Sequence, residues 1–116
     1  MINKLVKILA EISAGELIDK ITILEIKKAK ISNKEKLIDI GKELTSLNET
    51  MKNFIQNENK IINFKNKLKD INLKLWEIED EKRNAEKRND FGENFIKLAR
   101  NVYKINDERA KIKLEI

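Results

Sequence analysis

Two carboxylates three residues apart on a helix stand one turn apart on the same face, where they can share a divalent cation; helical pyrophosphatases hold Mg²⁺ this way. The chain has such pairs at Glu16 with Asp19 and at Glu77 with Asp80. With 20 acidic residues among 116, about three pairs at this spacing arise by chance, so they are read as solvated helix faces and no metal site is expected. Arginine is more informative. The chain has four, at positions 83, 88, 100 and 109, against a far larger number of lysines. A guanidinium presents a fork of donors that grips a carboxylate or phosphate at two points. A helical mutase acting on a dicarboxylate would need several such cations in one cavity, and Lys20, Arg83, Arg100 and Arg109 are the available set. Arg88 falls in a charged stretch and is read as solvated.

Arg109 stands apart, because it occupies a position where an apolar residue belongs. Phe91, Phe95, Leu98, Val102, Ile105, Ile112 and Ile116 follow a heptad track, and Arg109 is its one polar member. Two readings of it stay open: an ion pair with a buried Asp or Glu, or an anion site. Tyr103, Asn106 and Asp107 lie close by and suggest either a buried network that sets helix register or a polar site. Upstream, Trp76, Glu79 and Arg83 share neighbouring turns, with Glu79 and Arg83 spaced as a favourable helical ion pair.

The elements that must position these groups are helices. Pro is absent, Gly occurs three times, and Lys, Glu, Leu and Ile dominate, as they do in long helices. The predicted fold class is all-α, a helical bundle with a long coiled-coil-like hairpin, in one domain over residues 1–116. Ser13 with Glu16 matches a capping box and starts a first helix over 14–31. Its apolar residues Leu17, Ile18, Ile21, Leu24 and Ile31 line one face while Ile23 and Ile26 lie elsewhere, so this helix should be covered on more than one side. Ser32 with Glu35 repeats the capping signal and opens a second helix over 33–55, carrying Leu37, Ile40, Leu44, Leu47, Met51 and Phe54 in steps of three and four. The polar stretch from Gln56 to Lys60 interrupts that stripe. A third helix over 60–88 follows, with Ile61, Leu68, Ile71, Leu75 and Ile78, and the short connection predicts an antiparallel hairpin between second and third helices. Asp90 with Glu93 caps a fourth helix over 91–115. Leu5 to Ile12 fits either a helix or a short strand.

Composition also excludes. With no Cys and no His, disulfides, thiol nucleophiles, imidazole bases and ordinary zinc sites are absent from the repertoire, and no cofactor is expected. No apolar run approaches the roughly 20 residues of a membrane span, and no signal peptide is recognised, so the expectation is a cytoplasmic protein. A net charge of +5 raises nucleic-acid binding, but acids and bases are interspersed and stacking residues are few, so nucleic acid is not the expected partner. The helices also lack the one-sided basic pattern that would lay them on lipid. The apolar stripes are longer than one small protomer can cover, and each Leu or Ile removed from water contributes about 1.5–3 kcal/mol, which predicts self-association, most simply a dimer, with a further protein partner as another occupant.

Two blocks of the chain carry a family resemblance. Glu11 to Lys27 (EISAGELIDKITILEIK) resembles the opening signature of a bacterial domain-of-unknown-function family of short helical proteins; Leu75 to Asp80 (LWEIED) and Asp90 to Lys113 (DFGENFIKLARNVYKINDERAKIK) resemble its closing signature. The resemblance implies no established activity. It implies an association with genes for cell-surface polysaccharide and lipopolysaccharide synthesis, an extended stretch before Ser13, and members that run on past the position matching Ile116. Signature positions able to bind something fall on Glu16, Asp19, Lys20, Thr22, Glu25, Trp76, Arg100, Tyr103, Asn106, Asp107 and Arg109. No residue is assigned a catalytic role. The first functional expectation is a non-enzymatic, self-associating scaffold or accessory protein. The second is a binding protein or enzyme for a sugar phosphate or another anion, with its site between first and last helices. The third is a nucleic-acid-binding module.

Overall fold

The computed structural model describes residues 8–56 and 58–116. The described residues form four helices: α1 (Ala14–Lys30), α2 (Lys34–Phe54), α3 (Glu58–Lys87) and α4 (Glu93–Glu115). The chain is all-α, with no strand among the described residues. Residues 8–13 are neither helix nor strand, so the strand suggested for Leu5 to Ile12 does not form over that portion; positions 5–7 lie outside the described residues.

Local chemistry accounts for the starts of α1, α2 and α4 and for the end of α3. Ser13 caps α1, its hydroxyl accepting from the Glu16 amide at 3.1 Å. Only half of the expected capping box forms, because the Glu16 carboxylate pairs with Lys113 of α4 instead of turning back. At α2 the cap is Asn33 and not Ser32: the Asn33 side chain accepts from the Lys36 amide at 3.1 Å. The charged stretch from Glu79 stays helical to Lys87, then ends in a Schellman motif. Asn89 takes the left-handed conformation at φ 54, Asp90 N–H donates to the Ala85 carbonyl, and Asn89 N–H donates to the Glu86 carbonyl. Asp90 is therefore not the cap of α4. Gly92 holds that position without a side-chain bond, Asp90 accepts from its amide at 3.3 Å, and Phe91 lies before the helix, edge-to-face on Phe95.

Tertiary organisation departs from the expected pairing of α2 with α3. Those two helices do not pack on each other; both pack on α1, and α3 packs on α4. The reason is the distribution of apolar residues around α1. Leu17, Ile21 and Leu24 join Ile40 and Leu44 of α2 in one apolar cluster, flanked by Ile31, Leu47, Met51 and Ile55. Ile18, Thr22 and Ile26, on another side of α1, are also buried, and Thr22 accepts a hydrogen bond from Asn72 of α3. α2 and α3 thus lie against different sides of α1 and not against one another. Ile55 completes the α2 stripe one turn after Met51, while Phe54 points to solvent at 79% exposure.

Candidate functional site

Where α1, α3 and the end of α4 converge, the core turns polar. Asp19, Thr22 and Asn72 are buried to 2%, 0% and 6% exposure. Asp19 and Thr22 reach this depth because they are one turn apart on the side of α1 that faces α3. Asn72 enters from α3, four residues after Leu68 and three before Leu75, within that helix's own stripe. Arg109 enters from α4 at the seam position where an apolar residue would be expected.

Asp19 is the centre of the network. Its Oδ1 accepts from Asn72 Nδ2 and from Arg109 Nε, each at 2.9 Å, and its Oδ2 accepts from Arg109 Nη2. The guanidinium thus grips the carboxylate at two points, the strongest geometry available to this pair. Arg109 Nη1 donates to Asn106 Oδ1 at 3.3 Å, and Lys113 Nζ stands 3.8 Å from Asp19 Oδ2 while pairing with Glu16. Thr22 donates its hydroxyl proton to the Asp19 carbonyl at 2.8 Å and accepts from Asn72 Nδ2 at 2.9 Å. At this crossing Gly15 lets the helices approach so closely that a Cβ on it would collide with the Lys113 carbonyl.

Burial alone would push the Asp19 carboxyl up. Hydrogen bonds from Arg109 and Asn72, with the positive charges of Arg109 and Lys113, outweigh it and hold the group below the usual carboxylate value. The hydrogen bond to Asp19 likewise outweighs desolvation at Arg109 and pushes its guanidinium up. Both groups are ionised at neutral pH. A carboxylate with both oxygens engaged and a lowered pKa is a weak base, and the hydroxyl of Thr22 has no free base beside it.

Of the residues singled out by sequence, Glu16, Asp19, Thr22, Asn106 and Arg109 converge here. Glu25 lies further along α1, paired with Lys65 at 3.1 Å and Lys69 at 3.7 Å of α3. Trp76 is half-buried and borders a cleft of about 270 Å³ with Ile23, Ile26, Leu75 and Arg109. Lys20, Arg100, Tyr103 and Asp107 are exposed and stand apart from the network. Arg83 bonds Asp80 at 2.8 Å and Glu79 pairs with Lys82, in place of the expected Glu79 to Arg83 pair. Sequence reasoning missed Asn72 and Lys113. Asn72 carried a signal, an amide inside an apolar stripe; Lys113 carried none.

No curated protein and no solved structure shows a match to the chain. Residues 8–116, which contain the whole network, match the family of unknown function DUF6165, and the chain belongs to that family.

Proposed function

We propose that this chain is a non-enzymatic helical module that associates with a second copy of itself and serves as a scaffold or accessory protein. One observation carries the reading: α4, a helix of 23 residues, buries none of them fully, while Ile96, Tyr103 and Leu114 on it are 49%, 57% and 88% exposed. A helix so rich in apolar side chains and so poorly covered favours a partner. The buried carboxylate supports the non-enzymatic part, since both oxygens of Asp19 are engaged by Arg109 and Asn72. A supporting role in cell-surface polysaccharide synthesis rests on the family resemblance alone.

Sedimentation velocity over a hundredfold range of protein concentration tests the proposal. A species of twice the chain mass, dissociating on dilution, is the expected result; a compact monomer throughout overturns it.

The cleft beside Trp76 favours a second reading, a site for a small anion. Arg109 borders it and uses three of its five N–H donors within the protein. Quenching or enhancement of Trp76 fluorescence by sugar phosphates, saturating at millimolar concentration or below, supports that reading; an unchanged spectrum rejects it.

A further inference from the structure

Helix α4 has two apolar faces, of which the fold uses one. At about 100° per residue, Leu98, Val102, Ile105, Arg109 and Ile112 fall on the side toward α3 and α1. Ile96, Tyr103, Ala110 and Leu114 fall within a strip about 40° wide on the far side, and all four are exposed. From Ile96 to Leu114 the strip is about 27 Å long, five turns of helix.

One edge of this strip is charged in a way that identifies its occupant. Before position 105 the edge carries Glu93, Lys97, Arg100 and Lys104, three cations and one anion; after it come Asp107, Glu108, Lys111 and Glu115, three anions and one cation. The edge is basic toward one end and acidic toward the other, and neutral in sum. The other edge, with Asn106 and Lys113, turns toward α1, where both residues take part in the Asp19 network. An antiparallel pair of identical helices brings the same edge of both copies together, head against tail; a parallel pair brings opposite edges together. Only the antiparallel arrangement sets basic half against acidic half while leaving the inward edge on α1. A membrane surface would instead select an edge with net positive charge.

We infer that a second copy of this chain docks antiparallel on the outer strip of α4, with Ile96 against the partner's Leu114 and Arg100 reaching the partner's Asp107. This rests on the self-association reading and supplies its interface. Two-fold symmetry makes each contact occur twice, so one substitution changes two sites in the dimer.

The chain has no cysteine, which makes cross-linking decisive. The Ile96→Cys/Leu114→Cys protein should form a covalent dimer on mild oxidation, and Ile96→Cys alone should not. Arg100→Glu should raise the dimer Kd about tenfold or more, and Arg100→Glu/Asp107→Lys should return it to within about threefold of the parent. All these positions are exposed, so retained helicity by circular dichroism is expected in every variant. Efficient cross-linking through Cys at 96 alone means a parallel pair and overturns the inference. So does a dimer whose Kd is unmoved by Arg100→Glu and Ile96→Glu, which would leave the self-association reading standing on another face. A monomeric parent chain at all concentrations removes both.

Discussion

Helix α1 meets its neighbours in two different ways. Toward α2 the buried part of the interface is hydrocarbon: Leu17, Ile21 and Leu24 with Ile40 and Leu44. Toward α3 and α4 it is built around a buried acid that takes hydrogen bonds from two other helices. Hydrocarbon packing is non-directional and accepts a range of shapes of similar volume. A carboxylate gripped by an Arg fork and an amide accepts one arrangement, and any slip by a turn leaves charges buried and unpaired. The α1–α2 contact therefore contributes mainly stability, whereas the Asp19 network contributes register at a point where the chain must bring positions 19, 72 and 109 together.

Removing one member of the network should give the largest effect. Asp19→Ala strips Arg109 of its two-point acceptor and Asn72 of one of its two, and is expected to cost about 3–5 kcal/mol, read from urea denaturation midpoints. Replacing both partners, as in Asp19→Leu/Arg109→Met, should cost much less, because no charge is then stranded. The ionised acid also links stability to pH. Asp19 has its pKa lowered in the folded chain, so its contribution is complete above the unfolded carboxylate value of about 4 and is lost as pH falls through the lower folded value. The stability difference between the parent and Asp19→Asn should be flat from about pH 5 to 8 and shrink in acid. A constant difference down to about pH 2 would deny the ion pair its role.

On the hydrocarbon side the expected loss is smaller and more local. Leu44→Ala should cost about 2–4 kcal/mol. Because α2 packs on α1 alone, its amides should lose hydrogen-exchange protection while those of α3 and α4 keep theirs. Uniform loss across all four helices would show that the two interfaces unfold as one unit.

The same contrast explains what could be read from the sequence. The all-α class and the rough extents of the helices follow from short-range chemistry: no proline, apolar steps of three and four, and Ser13 at its cap. Caps two and three slipped because several polar residues stood within reach, and backbone geometry chose Asn33 and Gly92. Arg109 was legible as a misfit in its seam, and a buried acid as one of its possible partners. That Asp19 is the acid, 90 residues away, depends on a helix crossing that local pattern does not encode. The α2–α3 hairpin failed for a related reason. A short connection keeps two helix ends close but leaves their directions free, and α1 offered each helix a better apolar partner than the other did.

Two glycines offer the finest test of the contrast, because they differ only in what surrounds them. Gly15 lies where α1 crosses α4, and an added methyl would meet the Lys113 backbone, which has no rotamer to move away. Gly15→Ala should therefore cost about 1–3 kcal/mol despite the better helix propensity of Ala. It should also weaken the network, visible as a smaller penalty for Asp19→Ala in the Gly15→Ala background. Gly41 sits in α2 with open space where its Cβ would be. There Gly41→Ala should stabilise by about 0.5–1 kcal/mol, with no coupling to Asp19. Equal responses at the two positions would mean that the crossing of α1 and α4 is loose enough to absorb a methyl group. The precise register attributed to Asp19 would then need another source.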